Sequence, residues 1–308
     1  MALGGGIFVT QNKILPGSYI NVVSATSATA NLGERGTVAI ALPLGKAEGS
    51  VIEITNREFL NECSKILGKE HDSADVIALR EIFCNATKVY IYDLGTGSTK
   101  TATDAIEAFE SYEFNILCAY SDVEAEVEAY VEAVKTWREE VGKKCQVVAY
   151  NLDAPNHEGI INVVSTVSDS TAPAHALVAW VAGAEAGCKI NESCTNKVYD
   201  GEYTVTLGKT QYQLEECITN GQIAFHNVYG KVRLLEDINS LTEVTVDKGE
   251  DFKSNQTIRV VDQIANDIAK LFNTKYLGKI PNNDSGRVSL WGDIVAHHRH
   301  IFLITRHL

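Results

Sequence analysis

The stretch Val38-Ala39-Ile40-Ala41-Leu42 consists only of apolar residues and carries β-branched side chains at two alternate positions. Three later stretches share this texture: Val89-Tyr90-Ile91-Tyr92, Ile116-Leu117-Cys118-Ala119-Tyr120 and Val147-Val148-Ala149-Tyr150. Short apolar runs of this kind are typical of strands that are buried on both faces, as in a parallel sheet. We therefore predict an α/β fold whose core is a mixed, largely parallel sheet.

The segments around these strands show the 3.6-residue periodicity of helices. One set of apolar residues at helical spacing is Val123, Val127, Tyr130, Val131, Val134 and Trp137. Glu124, Glu128 and Glu132 fall on another face, which we interpret as a solvated acidic stripe. Residues 175–187 are rich in Ala and Gly, and they predict a helix whose backbone packs closely against a neighbour. The sheet is thus expected to be flanked by helices.

The two ends of the chain differ from this core. Residues 1–24 contain β-like stretches with no helix between them, so they predict an extended N-terminal arm. Residues 25–200 form the predicted α/β core. Residues 201–308 form a predicted smaller α+β domain, with short strands at 203–207 and 231–235, a long amphipathic helix that ends near Gly278, and a last helix at about 285–299.

Composition narrows the classes of function. The 308 residues are 45% hydrophobic and 22% charged, as in a folded protein. The net charge of −13 repels phosphate backbones, so we expect no nucleic-acid partner. No apolar run reaches the roughly 20 residues of a membrane-spanning helix, and we expect no membrane insertion. The seven cysteines predict reduced thiols in a cytoplasmic chain.

The segment Gly95-Thr96-Gly97-Ser98-Thr99-Lys100-Thr101 follows a predicted strand and precedes a predicted helix, which is the setting of a phosphate-binding loop. A P-loop needs Gly-Lys-Ser/Thr, whereas here Thr99 precedes Lys100. Lys100 also stands where the dinucleotide fingerprint has its third glycine. We interpret the segment as a flexible loop. An α/β nucleotide-binding enzyme that uses Gly95 to Thr101 is the alternative.

Other candidate sites are weak. Cys188 and Cys194 have no second Cys/His pair at the spacing of a zinc site, which argues against zinc binding there. A metal site at the end of the chain is also disfavoured, because no carboxylate is expected beside the terminal histidines, which are His297, His298, His300 and His307. The remaining histidines with scattered positions are His71, His157, His175 and His226. We predict no metal, no cofactor and no catalytic residue, and therefore a protein that is not an enzyme.

Several segments in the second half of the chain resemble the sheath proteins of contractile phage tails and of the related bacteriocins and phage-like particles. These segments are Val181-Ala182-Gly183-Ala184-Glu185-Ala186-Gly187, Asn191-Glu192-Ser193-Cys194-Thr195-Asn196-Lys197, Asp237-Ile238-Asn239-Ser240-Leu241-Thr242, Ile258-Arg259-Val260-Val261-Asp262-Gln263-Ile264-Ala265-Asn266-Asp267-Ile268 and Tyr276-Leu277-Gly278-Lys279-Ile280-Pro281-Asn282. Pro16-Gly17-Ser18-Tyr19-Ile20, Arg35-Gly36-Thr37-Val38-Ala39 and Ile54-Thr55-Asn56-Arg57-Glu58-Phe59 resemble the same family more loosely.

The resemblance implies a structural subunit that polymerises helically around a tail tube and contracts to drive the tube through a target envelope. The implied partners are other copies of the chain, the tail tube protein, and the baseplate and tail terminator proteins. Assembly is implied in the host bacterial cytoplasm, and the product is the tail of a virion or phage-like particle. Whether the particle is a phage or a bacteriocin stays open.

In this family, N-terminal and C-terminal arms exchange β-strands with neighbouring subunits. The arm side chains that we expect to act as donor-strand residues are Ile7, Val9, Tyr19, Ile20, Val22 and Val23. Family members continue beyond the last helix into further strands, whereas this sequence stops after Ile301-Phe302-Leu303-Ile304-Thr305-Arg306-His307-Leu308. We therefore expect an altered or truncated C-terminal end, and a chain that by itself is monomeric or weakly associated.

Overall fold

The computed structural model describes residues 35–97 and 99–305. The predicted N-terminal arm, with all six of its donor-strand residues, lies outside the described residues. None of the described helices has the length and apolar character needed to cross a bilayer.

A seven-stranded mixed sheet forms the centre of the molecule. Its strands are β1 (Thr37–Leu42), β2 (Val51–Thr55), β3 (Lys88–Asp93), β4 (Ile116–Cys118), β5 (Gln146–Tyr150), β6 (Ile160–Val163) and β7 (Gln222–Ile223), in the spatial order β2-β3-β1-β4-β5-β6-β7. All neighbours pair in parallel except β2 and β3, which are antiparallel. The predicted mixed, largely parallel sheet is confirmed.

Helices cover both faces of this sheet, because its central strands are apolar on both faces. In β1, Val38 and Ile40 face one hydrophobic core, while Ala39 and Ala41 face the other. The helices of the first core are α1 (Asn56–Leu67), α2 (Ile77–Phe83) and α5 (Ala176–Gly187); those of the second are α3 (Ala102–Phe109) and α4 (Glu124–Thr136). A short helix, α6 (Gln211–Thr219), precedes β7.

Helix α5 lies against α2 at backbone distance. A Cβ atom built on Gly183 would lie 2.3 Å from the carbonyl oxygen of Ile82, and one on Gly187 would lie 2.1 Å from that of Asn85. Only glycine permits such an approach. The close packing predicted from the Ala/Gly composition of residues 175–187 is confirmed.

The C-terminal part combines a hairpin with two long helices. The hairpin consists of β8 (Phe225–Val228) and β9 (Lys231–Leu234), and the helices are α7 (Asn255–Leu271), extended by a π-helical turn (Phe272–Tyr276), and α8 (Asp284–Thr305). The helix predicted to end near Gly278 ends at Tyr276. The predicted domain boundary at residue 200 stays a prediction, and β7, which follows it, adds to the edge of the core sheet.

The strand predicted at residues 203–207 is wrong. Only Val205 forms a bridge, with Val167. The backbone amide of Tyr203 donates to the hydroxyl of Tyr199, and that of Glu202 donates to the carboxyl of Glu81. Thr206 N donates to Thr166 O and Thr204 O accepts from Ser168 N, so the pairing is confined to this one bridge, and the side-chain bonds of the Glu202 and Tyr203 amides prevent its extension.

Candidate functional site

The open edges of the two sheets are the described places where an added strand could pair. The large sheet ends in β2 on one side and in the two-residue β7 on the other, and β8 forms one edge of the hairpin. Within the described residues β2 and β8 have no partner strand on their outer sides, although the amide of Phe225 in β8 donates to Ser165 Oγ at 3.0 Å. The outer side of β9 is occupied, since Tyr199 N donates to Val232 O and Leu234 N donates to Lys197 O. An unpaired edge offers a row of N–H and C=O groups to another chain.

The edges of β2 and β8 differ in charge. Strand β2 carries Glu53 on its surface, 3.4 Å from Nζ of Lys88, and a charge on an edge strand discourages pairing. Strand β8 has the sequence Phe225-His226-Asn227-Val228 and carries no carboxylate or ammonium group. The edge of β8 is therefore the better acceptor for a strand.

The glycine loop after β3 is held by carboxylates. The buried carboxylate of Asp93 accepts from the backbone N–H of Gly95 at 2.9 Å. It also accepts from four amides of the segment after β1, which are those of Leu44, Gly45, Lys46 and Ala47, at 2.6–3.0 Å. At the other end of the loop, Asp104 caps α3 by accepting from the backbone N–H of Thr101 at 2.8 Å.

These contacts argue against a phosphate cradle. The amides at the carboxyl ends of β1 and β3 already surround an anion of the chain itself, and a second anion would meet the charges of Asp93 and Asp104. Lys100 lies 3.4 Å from Asp104, so its ammonium group faces a carboxylate of the same loop. The nucleotide-binding alternative gains no support from this geometry.

Burial would raise the pKa of Asp93, but the backbone hydrogen bonds outweigh it and hold the pKa below its usual value. A carboxylate that accepts several N–H groups is stabilised in its charged form. Asp93 is thus an anion that fixes the segment after β1 onto the end of β3.

A buried polar cluster lies between α5, α7 and the segment that precedes α7. Within the described residues, one group of potential metal ligands comes together, formed by Glu185, Cys194 and Asp237, whose ligand atoms lie within 4.8 Å of one another. The guanidinium of Arg259, on α7, lies 2.7 Å from Glu185 and 3.1 Å from Asp237. The cluster therefore contains its own cation.

The two carboxyl groups of this cluster have pKa values that are shifted in opposite directions. Burial, followed by the neighbouring Asp237, raises the pKa of Glu185 well above its usual value. Burial acts in the same direction on Asp237, but Arg259 and several hydrogen bonds outweigh it and lower its pKa. Burial and Asp237 thus favour the neutral form of Glu185, and Arg259 favours the ionised form of Asp237. Spacing along the sequence gave no sign of this cluster, since its members come from distant segments.

The terminal histidines do not all lie in the described part of the chain. His297 has its Nε2 2.9 Å from Asp267, and both side chains are nearly buried. The expectation that no carboxylate accompanies these histidines is wrong for His297, because α8 folds back beside α7. His298 is exposed, and nothing is described for the side chains of His300 and His307.

The four scattered histidines have separate surroundings. His71 packs on Phe59 and His175 on Tyr120, with ring centroids 4.8 and 4.5 Å apart. His157 is buried and accepts at Nδ1 from the backbone N–H of Gly159, and His226 lies in β8. Burial lowers the pKa values of His157 and His175, which keeps both rings neutral near pH 7.

The acidic stripe of α4 lines an open groove. Glu124, Glu128 and Glu132 form one wall of a cleft of about 760 Å³ beside the ends of β4 and β5, and the buried Val127 and Val131 lie behind them. The stripe is exposed, as the sequence predicts.

Two family models match this chain. The model of the phage tail sheath protein central domain matches residues 95–240, and the model of the phage tail sheath C-terminal domain matches residues 247–301. Together they span more than half of the chain.

A curated relative carries the same description. The tail sheath protein of Clostridium phage phiCD119 is 33% identical over 182 residues, which are 58% of this chain and 50% of that protein. The chain spans half or less of the length of the curated relatives that it matches.

Solved structures share the fold. The crystal structure of a sheath tail protein from Desulfitobacterium hafniense is 25% identical, with a TM-score of 0.79 over 94% of this chain and 89% of that one. The helical sheath of the anti-feeding prophage in its contracted state is 14% identical, with a TM-score of 0.69 over 95% and 84% of the two chains. From its matched domains, its relatives and its fold, this chain belongs to the phage tail sheath protein family.

Proposed function

We propose that this chain is a structural subunit of a contractile tail sheath, which polymerises helically around a tail tube and shortens to drive the tube through a target envelope. The observation that carries the proposal is the match of both sheath domain models, in order, along one chain. The similar fold of a contracted helical sheath supports it. The subunit works without catalysis, because a change of lattice contacts supplies the energy.

A small increase in buried apolar surface per subunit would supply free energy for contraction. If the contracted lattice buries an extra ~100 Å² of apolar surface per subunit, the gain is on the order of 2.5 kcal/mol at ~25 cal/mol per Å². Summed along a polymer, that amount supports directed motion without a nucleotide.

We further propose how subunits join. The N-terminal arm of one subunit adds as a strand to the open edge of β8 in a neighbour, with Ile7, Val9, Tyr19, Ile20, Val22 and Val23 as the side chains that select the register. The uncharged edge of β8 supports this choice over β2. Donor and acceptor lie at different places on the subunit, so the contact is heterologous and yields an open helix.

The remaining partners are the tail tube, the baseplate and the tail terminator proteins. A chain of this fold occurs in a solved baseplate assembly of the anti-feeding prophage, which supports a baseplate contact. The proposed site of assembly is the host bacterial cytoplasm, and the proposed final location is the tail of a virion or phage-like particle.

Deletion of residues 1–23 tests the arm. With the tube protein co-expressed, the deletion is expected to abolish sheath tubes on electron micrographs while the circular dichroism spectrum and melting temperature of the subunit stay unchanged. A matched control replaces Gln11 and Asn12, polar positions between the two β-like stretches, with Ser. Tubes of normal appearance after the deletion would contradict donor-strand exchange.

The acceptor edge is tested by a pair of identical substitutions. Val228→Lys places a charge on β8 and is expected to block assembly. Val246→Lys changes a fully exposed loop residue and is expected to leave assembly intact. If both variants form tubes, β8 is not the acceptor.

A further inference from the structure

The tip of the β8–β9 hairpin carries a tyrosine in an unfavourable backbone conformation. Tyr229 and Gly230 form the two-residue turn between the strands, and their φ angles are 52° and 79°. Positive φ at both positions is what a type I′ turn requires, and Asn-Gly is the pair that this turn favours. A bulky side chain rarely adopts positive φ, because its Cβ crowds the backbone. The local fold therefore gives no reason for a tyrosine at position 229.

Packing inside the subunit does not explain Tyr229 either, since its side chain is fully exposed. Lys231, which follows the turn, is exposed as well. The hairpin also contains Arg233 and has no carboxylate, so its charge is positive. Tyrosine is one of the residues that most often anchor protein interfaces. The hairpin tip thus has the composition of a docking segment, with an aromatic side chain and positive charge.

The groove of about 760 Å³ beside α4 has the complementary character. Its apolar lining consists of Val127, Val131, Leu152, Pro155 and Pro173. Its acidic lining consists of Asp122, Glu124, Glu128, Glu132 and Asp153. In the part of the chain that the structure describes, Lys135 is the only lysine or arginine of this lining, and it lies 2.7 Å from Glu132. The groove therefore suits an aromatic side chain that is accompanied by positive charge.

We propose that the hairpin tip of one subunit docks into the groove beside α4 of a second copy of this chain, with Tyr229 inside the groove and Lys231 at its acidic residues. The opposite charges favour this pairing over contacts between two hairpins or between two grooves. The side chain of Tyr229 leaves water in this contact, and an aromatic side chain buries about 150–250 Å² when it does so.

The hairpin and the groove lie on opposite faces of the large sheet. Phe225 and Leu234 of the hairpin belong to the first hydrophobic core, whereas Val127 and Val131 of the groove belong to the second. Since Tyr229 is fully exposed, the tip does not occupy the groove of its own subunit. A contact between two unlike surfaces is heterologous and can repeat from copy to copy. As a contact within a sheath, it rests on the proposed function.

Carbodiimide cross-linking of the full chain tests the contact. The reagent joins an amine to a neighbouring carboxylate, so Lys231 is expected to become linked to Glu124, Glu128 or Glu132. A mixture of isotope-labelled and unlabelled chains shows by mass spectrometry that the link joins two copies. The yield should fall at ~1 M salt, which screens exposed charges. If these glutamates link to a different lysine of the second copy, or to none, the inference is overturned without any variant.

Substitution of the tyrosine separates docking from folding. Tyr229→Asn restores the favoured turn pair, so the melting temperature is expected to stay the same or to rise. The yield of the Lys231 link is expected to fall about tenfold or more, as for the loss of an interface anchor. Tyr212→Asn removes another exposed tyrosine, on α6, and should leave the yield unchanged. Equal yields for the two variants would refute the role of Tyr229.

Two defective subunits should complement each other. Tyr229→Asn keeps an intact groove, and the double variant Glu124→Lys with Glu128→Lys keeps an intact hairpin. Each alone is expected to give few links, whereas their mixture restores links from Lys231 of the groove variant and stops at pairs. A mixture that stays unlinked contradicts the contact. If Tyr229→Asn still forms sheath tubes with the tube protein, the contact is not needed for the lattice and the sheath function stands; links without tubes in the unchanged chain contradict the sheath function alone.

Discussion

At the scale of single residues, Asp93 illustrates how a buried charge can organise a loop. Its carboxylate accepts hydrogen bonds from five backbone N–H groups, four in the segment after β1 and one in the segment after β3. A side chain that cannot accept these bonds leaves several amides without a partner, each at a cost of roughly 1–3 kcal/mol. Asp93 therefore stabilises the fold, although its position next to a glycine-rich motif is typical of a ligand-binding residue.

Asp93→Asn is expected to lower the free energy of unfolding by about 3 kcal/mol near neutral pH, as measured by urea denaturation. The folded pKa of Asp93 is depressed, so its contribution is complete above the unfolded value of about 3.9 and is lost as the pH falls through the folded pKa. The difference between wild type and variant should thus stay constant from neutral pH to about pH 5 and shrink below about pH 4. A difference that stays constant with pH would contradict the assignment.

The residue-scale site was only partly predictable. The incorrect order of Thr99 and Lys100 for a P-loop was enough to disfavour a phosphate site, and the carboxylates of Asp93 and Asp104 now give the physical reason. The cluster around Arg259 was not predictable, because Glu185 lies 74 positions away along the chain and only the folded topology brings the two together.

At the scale of elements, α5 shows what an Ala/Gly composition achieves. Its glycines let the backbone of α5 approach the C-terminal end of α2 and the residues just after it. Every residue from Ala176 to Ala186 is buried. Such a helix has no polar face, so it fits only in the interior, between the sheet and other elements.

Gly183→Ala is expected to destabilise the protein by about 1–3 kcal/mol, because the new methyl group meets the backbone of Ile82, which cannot move aside as a side chain can. Gly292→Ala, in α8, is the matched control. Among the described residues, no atom other than the adjoining backbone of α8 lies within 4 Å of the added Cβ there, so the same substitution should stabilise the helix by up to about 1 kcal/mol. Thermal unfolding of the two variants should shift in opposite directions; equal shifts would refute the close-packing argument.

Elements were predicted well where the pattern alone decides them. The apolar runs at β1, β3 and β5 became central strands, and the periodic segment at α4 became a helix from Glu124 to Thr136. The pairing of residues 203–207 is limited to one bridge, in which Thr206 N donates to Thr166 O and Thr204 O accepts from Ser168 N. It does not extend toward residue 202, because the amides of Glu202 and Tyr203 bond to Glu81 and Tyr199. Composition does not reveal which backbone amides will form hydrogen bonds with side chains that are distant in the sequence.

At the scale of the whole molecule, a buried ion pair joins the core to the C-terminal helices. Arg138, just after α4, donates to both carboxylate oxygens of Asp262 on α7, at 2.5 and 3.0 Å. It also donates to the carbonyl oxygen of Cys145 at 2.8 Å. Arg138 lies in the region matched by the central-domain model, and Asp262 lies in the region matched by the C-terminal-domain model.

Asp262→Ala is expected to cost about 3 kcal/mol, because it removes both hydrogen-bonded carboxylate oxygens from the buried Arg138 guanidinium and leaves only Glu158, 3.9 Å away, as a counter-charge. The double variant Arg138→Met with Asp262→Leu should recover most of that loss, since a buried pair is replaceable by apolar side chains. Glu62→Ala breaks the exposed pair with Lys65 and serves as a control that should change stability by less than about 1 kcal/mol. Chemical denaturation of the wild type, the single variant, the double variant and the control measures the free energy of unfolding of each protein.

The position of Trp291 gives the free subunit a built-in optical reporter. Trp137 and Trp180 are buried in the core, whereas Trp291 on α8 is 67% exposed and is the third tryptophan of the chain. Iodide in solution should therefore quench roughly one of three emitters in the isolated subunit. If neighbouring molecules cover α8 when the tube forms, that quenching will disappear in step with polymerisation, and a fluorimeter can follow the process in real time without an attached dye.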